Sequence, residues 1–259
     1  MKHHTIVCIK SVVLETPRGK LVRTDENCGM NPFDRPALET AFQVREQLGG
    51  KVTALTMGPQ SSKAVLWDAL ALGADRGVFI SDRRLADSDT LATSRALAAA
   101  IGKLAPYGLV LFGTRTADSD TGHVGPQTAQ ALQLPLIGYT SEIISMQKTT
   151  LQVRRTLDGF QEDYETGLPA VLTVRATNRP HRYAPLASLS SVFLDGRVEK
   201  WTLDELGLAQ ETIGLAGSPT QLLSMTAAGR RKRCRMLEGA AEEQVEKVIN
   251  ILEDGAEMC

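Results

Sequence analysis

Short apolar runs alternate with longer stretches whose apolar residues recur every three or four positions. Residues 5–10 (TIVCIK) are a compact apolar run and predict a strand. Residues 36–48 place Ala37, Leu38, Ala41 and Val44 on one stripe, which predicts a helix. Turn formers Asn31, Pro32, Asp34 and Pro36 start it, and Gly49-Gly50 stop it. The same logic predicts strands over 51–57, 77–80 and 109–112. It predicts helices over 61–72, 89–103 and 125–134, the first with Ser61 or Ser62 as N-cap and Gly73 as its stop. Strands separated by helices of about 10–15 residues imply parallel βαβ units with right-handed crossovers. The expected fold class is therefore α/β, an open parallel sheet with helices on both faces. Ligands in such sheets sit beyond the carboxyl ends of the strands. That directs attention to the loops after Lys10, Met57, Ile80 and Phe112.

The pattern changes from about residue 140. Residues 151–157 and 170–176 read as strands joined through Asp158-Gly159, an antiparallel addition. Residues 178–186 carry Pro180 and Pro185 and read as an irregular loop. Residues 192–223 hold four glycines and a proline with weak periodicity, so they must lie on another surface. Residues 240–252 form an amphipathic helix with Val245, Val248, Ile249 and Leu252 on one stripe. The expected organisation is an α/β domain over residues 1–190, followed by an extended C-terminal arm over 191–259.

Composition narrows the function classes. With 42 % hydrophobic and 23 % charged residues, the chain is an ordinary globular one and not a disordered or disulfide-framework protein. A net charge of -1 gives no electrostatic basis for nucleic-acid binding. The basic run at 230–235 reads as a solvated linker or a patch facing an acidic partner. Cys8, Cys28, Cys234 and Cys259 form no CxxC pair, which fits a reducing cytosol. No stretch of 18 apolar residues occurs, and residues 5–9 are too short for a signal segment. The expectation is a soluble cytoplasmic protein.

The common enzyme motifs are absent. Lysines after Gly19, Gly50 and Gly102 are followed by Leu, Val and Leu, so none makes a P-loop. There is no GxGxxG, GxSxG or HExxH, no metal-ligand spacing and no acid–base dyad. No catalytic side chain and no metal site are expected. The chain reads as a binder of a nucleotide or cofactor.

Three segments are candidates for that binding. Residues 113–126 (GTRTADSDTGHVGP) follow a buried strand and open a helix. Gly113, Thr114, Arg115, Thr116, Thr121, Gly122, His123 and Val124 offer hydroxyls and closely approachable backbone N–H groups to an anion. Thr121 reads as an N-cap or a phosphate donor, and Asp118 and Asp120 as acceptors from amides, a ribose hydroxyl or an adenine amine. The bland reading is a helix-capping loop. Residues 88–94 (SDTLATS) supply Ser88 or Asp89 as an N-cap. They also place Thr90, Thr93 and Ser94 within one turn, suited to a polar ring edge or simply a polar first turn. In Asn31-Pro32-Phe33-Asp34, Phe33 is either an adenine platform or a hydrophobic staple. Trp67 and Trp201 read as packing residues.

Taken in order, these segments resemble the small (beta) subunit of electron transfer flavoproteins. The pieces are Val7-Cys8-Ile9-Lys10, Met30-Asn31-Pro32-Phe33-Asp34, Thr56-Met57-Gly58-Pro59 and Ala71-Leu72-Gly73-Ala74-Asp75-Arg76. They continue through the 113–126 loop, Leu168-Pro169-Ala170-Val171-Leu172-Thr173, residues 178–186 and Gly217-Ser218-Pro219-Thr220. The resemblance implies a Rossmann- or flavodoxin-like domain and an obligate alpha subunit carrying a redox-active FAD. By position it implies nucleotide contacts from Cys8, Asn31, Pro32, Phe33, Asp34, Met57 and residues 113–124. It implies a recognition loop for partner dehydrogenases at 169–185, and a 240–252 helix packed on the alpha subunit. Ordinary members hold a structural AMP in the small subunit; electron-bifurcating members hold a second FAD. Residues 88–94 and Asp120-Thr121-x-x-Val124-Gly125-Pro126 resemble the bifurcating group, with a departure at Gly122-His123. That implies FAD, with AMP as the alternative. It also implies NADH as donor, with ferredoxin or flavodoxin and a partner dehydrogenase or quinone-linked oxidoreductase as acceptors. The rival from another class is a stand-alone adenine-nucleotide-binding protein, which the long C-terminal arm speaks against.

Overall fold

The computed structural model describes residues 3–14, 27–176, 181–193, 196–224 and 236–256. The chain divides into two compact units, Met1–Leu223 and Ser224–Cys259. In the second, the helix over residues 241–256 carries Val245, Val248, Ile249 and Leu252 as exposed apolar residues. The basic run at 230–235, Cys234 and Cys259 lie outside the described residues.

In the first unit, β1 (His4–Cys8), β4 (Lys51–Met57), β5 (Arg76–Ile80) and β6 (Leu109–Gly113) are parallel, with β4 and β6 flanking β1. They are linked by α1 (Arg35–Leu48), α2 (Ala64–Leu72) and α3 (Thr90–Lys103). A short ribbon of β2 (Ser11–Val13) and β3 (Cys28–Met30) precedes α1. The period of two along β1 sends side chains to opposite faces of the sheet. Val7 and Ile9 pack with Leu38, Phe42, Leu66 and Leu70 of α1 and α2. Ile6 and Cys8 pack with Ala96, Leu97 and Ile101 of α3 and Ala129 of α4 (Val124–Leu132). Phe42 and Phe79 are fully buried, and truncating such a ring costs about 3–5 kcal/mol.

Local signals account for several boundaries. Asp89 caps α3, its carboxylate accepting from the N–H groups of Leu91 and Ala92. Gly73 ends α2 at φ 120°, where a side chain is disfavoured. Ser61 and Ser62 do not cap α2. They lie in a 3-10 turn, Gln60–Lys63, and the helix starts after it. Thr121 does not cap α4 either; His123 holds that position and makes no side-chain capping bond.

The second half differs most from expectation. The full sheet adds β7 (Leu136–Met146), β8 (Thr150–Leu157), β9 (Phe160–Gly167), β10 (Ala170–Val174) and β11 (Val198–Trp201). Its order is β11-β5-β4-β1-β6-β10-β7-β8-β9. The antiparallel addition is there, but its hairpin joins β8 to β9, not to β10. Asp158 and Gly159 turn it with φ 51° and 81°, both positive as a two-residue I′ hairpin requires. Strand β10 instead runs parallel between β6 and β7 and is buried along its length. The first part of the 169–185 stretch is thus core sheet, and residues 177–180 lie outside the described ones. Residues 198–213 pack on this chain itself. Strand β11 edges β5, and Trp201, Leu203 and Ile213 join the α3 side of the core. Trp67 meets Phe193 edge-on at 4.8 Å between ring centroids, so both tryptophans are packing residues.

Candidate functional site

Strand β1 leads through α1 to β4 on one side, and β5 leads back through α3 to β6 on the other. The order of connection therefore reverses between β1 and β6, which opens a crevice at their carboxyl ends. Residues from four separate segments meet there.

Asp34 is their hub. It is buried, and its Oδ2 accepts the Lys10 N–H at 2.7 Å while Oδ1 accepts from Asn31 Nδ2 at 2.9 Å. The Gly113 N–H also faces this carboxylate and favours its charged form. Burial pushes Asp34 up to about 7, against the opposing pull of these hydrogen bonds and of the Lys10 charge. Asn31 is wholly buried and spends its amide on the loop after β6. Nδ2 donates to the Arg115 carbonyl at 2.9 Å, and Oδ1 accepts from the Ala117 N–H at 3.2 Å. Lys10 Nζ reaches Asp118 at 2.8 Å. A Cβ at Gly113 would lie 2.4 Å from both Asp34 Oδ1 and the Phe33 carbonyl oxygen, so only glycine fits there.

Arg115 lies over the Phe33 ring, 4.5 Å from its centroid, and its NH1 is 3.3 Å from Asp120. Phe33 is thus a platform for a guanidinium. Asp120 and Gly122 take φ 54° and 64°, turning the chain into α4. At that helix start, the N–H groups of Thr121, Gly122, His123, Val124 and Gly125 have no acceptor among the described residues. Such a terminus suits an anion. Thr116 bonds Ser119 through their hydroxyls at 2.8 Å, and Thr114 stands half-buried beside them.

The remaining expected contacts fall on both sides of this crevice. Cys8 ends β1 and is buried; burial, with Asp34 adding to it, pushes its thiol well up, so it offers no ready thiolate. Met57 is half-buried at the end of β4. Helix α3 packs beside α4. On its first turns Thr90 and Thr93 are half-buried, and their hydroxyls bond to no described residue. Ser94 differs: it is buried, and its hydroxyl donates to the Leu91 carbonyl at 2.9 Å.

Two features escape sequence reasoning. One is Lys10, although a charged residue just past a strand's carboxyl end is itself a signal. The other is a strap over the start of α3. Ser218 Oγ accepts from the Asp89 N–H at 2.8 Å, and the Thr220 N–H donates to Asp89 Oδ2 at 3.0 Å. Among the described residues no helix is long and apolar enough to cross a membrane.

Known proteins sharing this chain's pattern are consistent in kind. The electron transfer flavoprotein domain family matches residues 18–205. The electron transfer flavoprotein subunit beta of Clostridium acetobutylicum is 32 % identical over 256 residues, covering 96 % of this chain and 97 % of its own. Protein FixA of Azotobacter vinelandii is 36 % identical over 250 residues, 91 % and 88 % of the two chains. The caffeyl-CoA reductase-Etf complex subunit CarD of Acetobacterium woodii is 34 % identical over 248 residues, 93 % and 94 %.

Proposed function

The chain belongs to the beta-subunit family of electron transfer flavoproteins, and from that premise we propose that it works as the nucleotide-holding half of a heterodimeric electron carrier. The observation that carries the nucleotide reading is the row of open amides at the start of α4, beside the crevice between β1 and β6. The donor set fits an adenine nucleotide. Asp34 accepts from Lys10 N–H and Asn31 Nδ2, Asp118 is paired with Lys10 and Asp120 with Arg115, so none of these carboxylates stands free to repel a phosphate. Gly113 lets Asp34 and Phe33 close on the backbone of this loop, and Gly122 takes the positive φ that turns it into α4. Thr121 and Thr114 would add hydroxyl donors. Asn31 and Asp34 act behind this surface, holding its shape.

AMP and FAD share this adenine nucleotide end. With AMP the subunit is structural, and electrons pass through the flavin of the alpha subunit alone. FAD supplies the electron-transfer chemistry itself when bound. One specific feature favours FAD: Thr90 and Thr93, next to α4, present hydroxyls that no described residue uses. They would give a longer ligand's ring edge hydrogen-bond partners that AMP does not need. On that narrower reading the heterodimer divides electrons from NADH between ferredoxin or flavodoxin and a partner dehydrogenase or quinone-linked oxidoreductase. The test is the nucleotide content of the co-expressed heterodimer after acid release. Two FAD and no AMP support the narrower reading. One FAD and one AMP reject it and leave a single-flavin carrier, and no nucleotide in this subunit rejects both.

A further inference from the structure

We propose that Asp34 is a positioning residue of the nucleotide site: its ionised carboxylate does not touch the ligand but holds the loop after β6 in the shape that receives it. The inference rests on the reading of that loop as the phosphate-binding element.

Three N–H donors face the carboxylate: the Lys10 N–H and Asn31 Nδ2 are hydrogen-bonded to it, and the Gly113 N–H favours its charged form. All three are N–H groups with nothing to accept a proton's bond. A protonated carboxyl would point an O–H at one of them, so the full set forms only on the carboxylate. Through Oδ2 it holds the backbone leaving β1. Through Gly113 and Asn31, which in turn binds Arg115 and Ala117, it holds the first five residues of the ligand loop. Losing one of these bonds loosens one wall of the crevice against the other.

The charged neighbours are otherwise engaged. From the end of β1, the Lys10 ammonium is bonded to Asp118. From the loop after β6, the Arg115 guanidinium lies on Phe33 and reaches Asp120. From β1, the Cys8 thiol is held protonated by burial, and Arg35 follows on α1. Among the described residues no side-chain cation is hydrogen-bonded to the Asp34 carboxylate, and burial raises it to about 7. Its ionisation, and with it the lock on the loop, therefore changes across neutrality.

The test uses the whole heterodimer, stripped of nucleotide and titrated with FAD and, separately, with AMP, for the wild type and Asp34→Asn. The amide side chain of the variant keeps the shape but turns an NH2 toward the same donors at every pH. If only the ionised form binds and the group titrates at about 7, wild-type affinity falls about tenfold from pH 8 to pH 6. The variant binds more weakly at pH 8 and lacks this component. Ionisation of AMP's own phosphate is common to both proteins and cancels in their ratio. A wild type and variant of equal affinity, with parallel pH profiles, overturn the inference. Should the variant fail to assemble, the wild-type FAD profile decides, a flat line from pH 6 to 8 overturning it. A wild-type heterodimer that binds neither nucleotide at pH 8 defeats the functional reading first, and this inference with it.

Discussion

Asn31 Nδ2 donates to the carbonyl oxygen of Arg115 at 2.9 Å, across 84 positions of sequence. The same nitrogen donates to Asp34 Oδ1, and Oδ1 of Asn31 accepts from the Ala117 N–H. One wholly buried amide thus ties the turn before α1 to the loop after β6. The two walls of the crevice are joined by side-chain chemistry, not by the sheet alone.

Replacing Asn31 with Ala leaves three polar groups short of a partner: the buried Asp34 carboxylate and, in part-buried bonds, the Arg115 carbonyl and the Ala117 N–H. Each costs about 1–3 kcal/mol when it cannot reach water, and the loop relaxes to recover part of that. Asn31→Ala is expected to lose roughly 2–4 kcal/mol in urea unfolding. The heterodimer carrying it should also retain less nucleotide. Wild-type stability together with full nucleotide occupancy would show that the amide is not the tie.

Gly113 and Gly102 make a matched pair. A methyl at Gly113 would lie 2.4 Å from a carboxylate oxygen and a backbone carbonyl, neither the far end of a flexible chain. A methyl at Gly102, inside α3, meets nothing within 4 Å. Gly113→Ala is expected to force the loop away from Phe33 and Asp34 and to strip the nucleotide. Gly102→Ala should leave binding alone and stabilise the chain by up to about 1 kcal/mol. Thermal unfolding and nucleotide content of the two variants check this, and equal behaviour would contradict it.

The main-sheet strands and the helices up to α4 are legible in the sequence because each is local: an apolar run, a stripe, a cap such as Asp89, a stop such as Gly73; the three-residue strands β2 and β3 are too short to show a pattern. Strand β10 is recognisable as a strand but cannot be placed. The run Ala-Val-Leu-Thr-Val states that it is buried on both faces, not which neighbours it takes. Strand β9 escapes notice because Phe160–Gly167 is a polar edge, with Asp163 and Glu162 paired to Arg154 and Arg155. Four residues, Val198–Trp201, are too few to show a period, and their partner β5 is over a hundred positions away. At the site, the residue types are legible but their roles are not. Asn31 and Asp34 stand out as candidate ligand contacts, but nothing local shows that Asn31 bonds Arg115 and Ala117, more than eighty positions away.

Thr90 and Thr93 bear on the choice between nucleotides. Their hydroxyls bond to no described residue, so Thr90→Val with Thr93→Val removes nothing the described fold depends on. Stability is expected to stay within about 0.5 kcal/mol of wild type. If FAD occupies the site, its content or its redox potential in the heterodimer shifts. Unchanged flavin content and potentials would remove these two residues from the site. A parallel Ser94→Ala variant should behave differently, losing the bond to Leu91 and about 1 kcal/mol of stability with no ligand effect.

Asp34 also leaves a signature in the folding equilibrium of the nucleotide-free protein. Its folded pKa of about 7 lies above the ordinary 3.8, so between those values the native state holds a proton that the unfolded state has released. Stability from this group is therefore greatest at low pH and declines as pH rises toward 7. The decline is at most about 1.4 kcal/mol per pH unit, or about 4 kcal/mol over the window. Asp68, raised by burial, slopes the same way, but several other carboxylates slope the opposite way. Arg84 holds Asp82, and Arg182 holds Glu39, below the usual range, so their contributions are lost on acidification. The total curve mixes both signs, whereas the difference between wild type and Asp34→Asn isolates one. That difference is expected to move in favour of the variant from pH 4 to pH 7 and then level off. Parallel urea midpoints across this range would mean that Asp34 carries no such cost. A chain that keeps a buried carboxylate where no described side-chain cation is bonded to it spends stability on the ionised form, and in this crevice the ionised form is what aligns the Gly113 and Asn31 donors beside the open end of α4.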